Sequence, residues 1–104
     1  MKAEALKGHL DALVLATLED GPLHGYAVIE RLRGRSDGAF DLAEGTVYPV
    51  LHRLEAEGLL SSAWSDAAGR RRRVYRLTRR GRTALARQRD EWRRFAGAVE
   101  AVLA

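Results

Sequence analysis

The sequence predicts a mainly α fold with one β-hairpin and a long final helix. Three observations predict it. Apolar residues recur at helical spacing in four separate stretches of the 104-residue chain. Two short runs with β-type residues, Leu59 to Ser65 and Arg72 to Thr78, flank the turn residues Asp66 to Gly69. From about Arg79 to Leu103, apolar residues alternate at spacings of three and four.

The elements follow in order. The first helix is expected over roughly Lys2 to Glu19, where Leu6, Leu10, Leu13, Val14 and Leu18 form an apolar stripe. Gly21-Pro22 ends it, because proline cannot continue the hydrogen-bond ladder and biases its predecessor away from helix. A second helix is expected from His24 or Gly25 to Arg33, with Tyr26, Val28, Ile29 and Leu32 at its apolar positions. Gly34, Ser36 and Gly38 break that pattern, so residues 35–43 read as a loop that folds Phe40 and Leu42 back onto the core. The third helix is expected over Glu44 to Glu57, with Val47, Val50, Leu51 and Leu54 on its buried face and Gly58 as its stop. Pro49 lies one turn in and removes a donor that the helix interior would normally use, a cost that is modest if it stays near the first turn. The two strands take Trp64, Val74, Tyr75 and Leu77 as β-type residues. Thr78 is the expected N-cap of the last helix.

The third helix organises the chain. Opposite its apolar face stand Thr46, Tyr48, Pro49, His52 and Arg53, where a structural helix would more often show a solvated Lys/Glu face. Hydroxyl, imidazole and guanidinium groups bond phosphates and base edges in a DNA major groove. The expectation is a recognition helix of a helix-turn-helix domain. His52 also reads as a plain surface residue, and Arg53 reads as a partner for Glu57 one turn on.

Charge supports a polyanionic partner. Residues 1–60 hold six Lys+Arg against ten Asp+Glu, a balance of −4; residues 61–104 hold twelve against four, a balance of +8. The basic half includes Arg70, Arg71, Arg72 and Arg73 directly after the hairpin tip. Strand alternation sends two of these four to each side. Such a run gives salt-sensitive affinity, leaving specificity to the third helix.

On the last helix, Leu85, Gln88, Trp92, Phe95, Val99 and Val102 form a coiled-coil-like seam, with Asp90 and Arg94 paired at i, i+4. Little chain remains to cover Trp92 and Phe95, so a second copy of the chain is the expected cover. The alternative packs this helix back on the first one.

Other chemistries find little support. The chain has no cysteine, and His9, His24 and His52 lie on different expected helices, so no metal site and no cofactor are expected. No phosphate loop or activated nucleophile appears, so no enzyme is expected. The longest apolar run, Ala12 to Leu18 with Thr17 inside it, falls far short of the ~20 residues of a membrane span. With no signal-peptide pattern at the start, a soluble cytoplasmic protein is expected.

Three segments together resemble the PadR-type transcriptional regulators, bacterial winged helix-turn-helix proteins: GPLHGYAVIERL at Gly21 to Leu32, EGTVYPVLHRLEAEGLL at Glu44 to Leu60, and GRRRRVYRLTRRGRTAL at Gly69 to Leu85. The single C-terminal helix resembles the family's small subgroup. The resemblance implies a DNA-binding domain over 1–78 and a dimerisation helix over 79–104. It implies that Tyr26 faces a phosphate; its bland reading is a seal of the second helix against the first. It implies that Thr46, Tyr48 and Pro49 face the groove, with His52 and Arg53 one turn on, and that Arg70 to Arg73 form the wing. One departure is Ala43, where the family often has serine; losing such a cap costs about 1 kcal/mol. The resemblance further implies a homodimeric repressor on a near-palindromic operator, with Trp92 and Phe95 as the candidate site of a small aromatic effector. The competing reading is a winged-helix protein–protein interaction module.

Overall fold

The computed structural model describes Leu6 and residues 8–104. Its elements run α1 (Leu10–Thr17), β1 (Leu23–His24), α2 (Gly25–Arg35), α3 (Glu44–Ala56), β2 (Leu60–Ser65), β3 (Arg72–Leu77) and α4 (Arg79–Leu103). The mainly helical class with a small antiparallel sheet and a long last helix is the one expected from the sequence.

The first helix is shorter than expected. Gly8 has φ +87°, a left-handed conformation that a helix does not pass through, and α1 starts only at Leu10. Residues 2–5 and 7 of the expected helix lie outside the described residues. The expected stripe is otherwise inside: Leu6, Val14 and Leu18 are buried, and Leu10 and Leu13 pack against them. Thr17 is buried too, and its hydroxyl donates to the Val14 carbonyl at 2.6 Å, which removes the cost of burying it.

Helices α1, α2 and α3 surround one core built from Val14, Leu15, Val28, Leu32, Val47, Leu51 and Leu54. Leu42 is buried in the same cluster and Phe40 packs on it, as expected for the returning loop. Helix α3 starts at Glu44 although Ala43 offers no side-chain cap; the Thr46 and Val47 amides donate to the Ala43 carbonyl at 3.0 and 3.1 Å. Its end is closed by Gly58 at φ +78° and by the Leu59 amide donating to the Leu54 carbonyl at 2.9 Å.

The sheet has the order β1-β3-β2. The hairpin registers Leu60 with Leu77, Ser62 with Tyr75 and Trp64 with Arg73. Leu60, Tyr75 and Leu77 share its core face, and all three are buried. The third strand was not expected. Its two residues pair Leu23 with Tyr75 and His24 with Val74, and a segment so short carries no readable period.

Helix α4 is capped by Thr78, whose hydroxyl accepts from the Gly81 amide at 3.0 Å and donates to the Gly58 carbonyl at 2.7 Å. Its first turns are clamped to the domain, with Ala84 and Leu85 in the core. Arg89 grips both oxygens of Glu19 at 2.8 and 3.1 Å and holds that carboxyl below its ordinary range. The seam therefore needs a correction at one end. Leu85 is 3% exposed inside the protomer and has no surface to offer a second chain. Beyond it Gln88 is half-buried, and Trp92, Phe95, Val99 and Val102 are exposed along the projecting part of the helix. Trp92 meets His9 edge-on at 5.1 Å and Phe95 at 5.9 Å between ring centroids.

Candidate nucleic-acid interface

The first turns of α2 and α3 and the wing arginines meet around one open cleft of about 450 Å³. Its lining includes His24, Tyr26, Glu44, Tyr48, Trp64 and Arg70 to Arg73.

Each wall has a local cause. The N-terminus of α2 is capped by His24, whose Nδ1 accepts from the Ala27 amide at 3.3 Å. Its Nε2 lies 2.8 Å from Arg72 Nη1. Burial first, and then the positive Arg72, hold the imidazole below its ordinary pKa. Tyr26 stands next to this cap, half exposed at the cleft edge.

On α3, Tyr48 is turned further inward than the sequence suggests. Its ring packs on the core and closes over Gly25; a Cβ there would come within 2.5 Å of the ring. Burial, and then the nearby Glu44 carboxylate, push its phenol pKa up. Thr46 is also half-buried. The exposed residues of α3 are Glu44, Gly45, Pro49, His52, Arg53 and Ala56. His52 leans on Tyr48 with ring centroids 6.3 Å apart. Gly45 and Ala56 were missed, since small residues carry no chemistry that a sequence scan selects.

Arg53 shows the second of its two expected readings, the pairing with Glu57, and adds a partner. Its guanidinium bonds Asp11 of α1 through both terminal nitrogens, one at 3.1 Å, and Glu57 at 3.1 Å. These carboxylates raise its already high pKa. It ties α3 to α1 and is already neutralised. The Glu57 partner was legible at i, i+4; Asp11, 42 residues away, was not.

On the wing the expected alternation holds. Arg71 and Arg73 lie over the Trp64 ring, their Cζ atoms 4.8 and 5.4 Å from its centroid. Arg72 turns to His24 instead. Arg73 also approaches Glu55 at 3.8 Å, whereas no carboxylate lies within ion-pair reach of Arg70, Arg71 or Arg72 among the described residues. The tip between the strands is a tight turn in which Ala68 takes φ +58° and Gly69 +73°. Trp64, read from sequence only as a strand residue, thus belongs to the site; the hairpin register, which pairs it with Arg73, is what reveals it.

This arrangement suits a polyanion. Arg70, Arg71 and Arg72, with no carboxylate in ion-pair reach among the described residues, stand beside two helix N-termini and an exposed helical ridge, and outnumber the one carboxylate, Glu44, that lines the cleft. Among the described residues no group of acidic or histidine side chains could hold a metal ion, and no helix is long and apolar enough to cross a membrane.

Comparison with known proteins agrees with the geometry. The chain is 43% identical over 76 residues to Transcriptional regulator Rv3488 of Mycobacterium tuberculosis, covering 73% of this chain and 68% of that protein. It superposes on the crystal structure of a PadR family transcription regulator from Clostridium difficile with a TM-score of 0.82 and 32% identity, over 93% of this chain and all of that one. A PadR family transcriptional regulator from Eggerthella lenta gives a TM-score of 0.81 and 33% identity, over 96% of this chain and 86% of that one. The pattern of the transcriptional regulator PadR-like family matches residues 14–87, from α1 into α4. The chain therefore belongs to the PadR-like family of transcriptional regulators, DNA-binding proteins and not enzymes.

Proposed function

We propose that this regulator is a cytoplasmic homodimeric repressor whose two copies of α3 enter successive major grooves of a near-palindromic operator, about one helical turn or ~34 Å apart. Residues 1–78 form the DNA-binding unit and α4 joins the copies. One observation carries the reading. Arg70, Arg71 and Arg72, without ion-pair partners among the described residues, flank the cleft from which the α3 ridge extends. In the complex, Thr46, Tyr48, Pro49 and His52 read bases or line the groove. Tyr26 and Arg70 to Arg73 hold phosphates. Arg53 is excluded from this set because Asp11 and Glu57 already occupy it.

The dimer rests on the apolar stripe of α4. Trp92 and Phe95 are 50% and 57% exposed and Val102 85%, at the spacing of a helix-pairing face. Trp92 and Phe95 from the two copies are the site we assign to a small aromatic effector that weakens DNA binding by changing the spacing of the two α3 helices.

Salt dependence tests the wing. Each phosphate contact contributes a slope of about −0.9 in log K against log salt. Replacing Arg71 and Arg72 by alanine removes two contacts per protomer and four per dimer, and should reduce the slope's magnitude by about 3.6. Duplex affinity that ignores salt, or an unchanged slope in the double variant, would remove the wing from the interface.

A further inference from the structure

We propose that Trp64 is a positioning residue of the wing, which holds Arg71 and Arg73 by their guanidinium faces and presents their N–H edges to phosphates. The proposal rests on the DNA-binding reading above and names a residue that it did not include.

The geometry has three parts. Trp64 is the cross-strand partner of Arg73, and strand alternation returns Arg71 to the same face two residues earlier. Both guanidinium carbons lie over the indole, at 4.8 and 5.4 Å. The ring is 56% exposed at the cleft, although a tryptophan that serves only the core would be largely covered.

The chemistry explains why an aromatic belongs there. Among the described residues no carboxylate lies within ion-pair reach of Arg71, and the one near Arg73 is 3.8 Å away. Without the ring, Arg71 would sample many rotamers and would have to be ordered when a phosphate arrives. Stacking uses only the π-face of a guanidinium. Its five N–H groups lie in the plane, where the ring does not compete for them; those of Arg71 meet no carboxylate among the described residues, while Arg73 shares its own with Tyr75 and Glu55. The ring can therefore hold both arginines before and during binding, without competing as a carboxylate would.

Ordering one free, rotamer-rich side chain on binding costs roughly 2- to 12-fold in affinity, so losing the ring that pre-orders two of them should weaken the binding of each wing by roughly 5-fold or more. The test measures fluorescence anisotropy of a labelled random-sequence duplex across a salt series with wild type, Trp64→Leu and Trp64→Phe. Trp64→Leu should bind more weakly by that factor with an unchanged salt slope, because every arginine is still present. Trp64→Phe should recover most of the loss, since it restores a π-face. In the free protein, NMR should show ring-current upfield shifts on Arg71 and Arg73 side-chain protons in wild type and Trp64→Phe, absent in Trp64→Leu. Wild-type affinity in Trp64→Leu overturns the proposal while leaving the DNA reading intact. A Trp64→Phe variant as weak as Trp64→Leu also overturns it, because the indole would then be making its own contact. A wild-type protein that binds no duplex overturns the DNA reading itself, and the ring-current shifts would then report only a structural stack.

Discussion

Substituting Gly25 by alanine should act through Tyr48. A Cβ at Gly25 would lie 2.5 Å from Tyr48 Cε1, 2.7 Å from Cζ and 2.8 Å from the hydroxyl oxygen. Non-bonded carbons rest at about 3.5–4.0 Å, so the ring must retreat by roughly 1 Å. It packs against the core, so the retreat costs about 1–3 kcal/mol, the range for overpacking. Alanine is the better helix former by up to about 1 kcal/mol, which offsets part of this. The net loss should be about 0.5–2 kcal/mol. Removing the ring removes the collision, so in a Tyr48→Ala background the same change should be neutral or stabilising by up to about 1 kcal/mol. The two positions should thus show a coupling of about 1–3 kcal/mol in a double-mutant cycle. Urea unfolding at one fixed protein concentration, followed by tryptophan fluorescence, measures all four proteins. Equal cost of Gly25→Ala in both backgrounds would mean that Tyr48 does not seat on α2 and that the cleft wall is misplaced.

Three other outcomes are expected. Gly81→Ala puts a Cβ 2.0 Å from the Leu59 carbonyl oxygen, which is backbone and cannot rotate away; a loss of about 2–4 kcal/mol should appear in the same unfolding assay. His24 has a folded pKa below its unfolded value of 6.5, so its contribution is fully present above that pH and is lost as pH falls through the folded value. The difference in stability between wild type and His24→Asn, which keeps a capping side chain but does not titrate, should therefore shift against wild type as pH falls below 6.5, and a pH-independent difference would contradict the assignment. Trp92→Ala with Phe95→Ala should sediment as a monomer and lose cooperative binding to a symmetric site; a stable dimer would place the interface elsewhere.

Much of this was legible because it depends on local pattern. The helical periods of α2 and α3, the Gly58 stop, the Thr78 cap and the turn at Asp66 to Gly69 are written within a few residues of where they act. The alternation of Arg71, Arg72 and Arg73 followed from strand geometry alone. What stayed hidden depends on contacts between distant residues. A stripe on α4 cannot show where the domain's cover stops, so Leu85 read as part of the exposed seam although it is buried in the domain core. Arg53 could be paired with Glu57 from the sequence, but its second partner, Asp11, comes from another helix. Tyr48 looked fully outward because the collision surface at Gly25 belongs to α2. The Trp64 stack required the hairpin register, which fixes who faces whom across strands.

The division between a base-reading α3 ridge and a phosphate-holding wing, doubled by α4, meets its most direct test in selection of bound sequences from random duplexes. The expected result is an enriched near-palindrome with half-sites about one helical turn apart. Recovery of a single unsymmetric half-site would contradict the dimer, and recovery of no sequence preference would contradict base reading by α3.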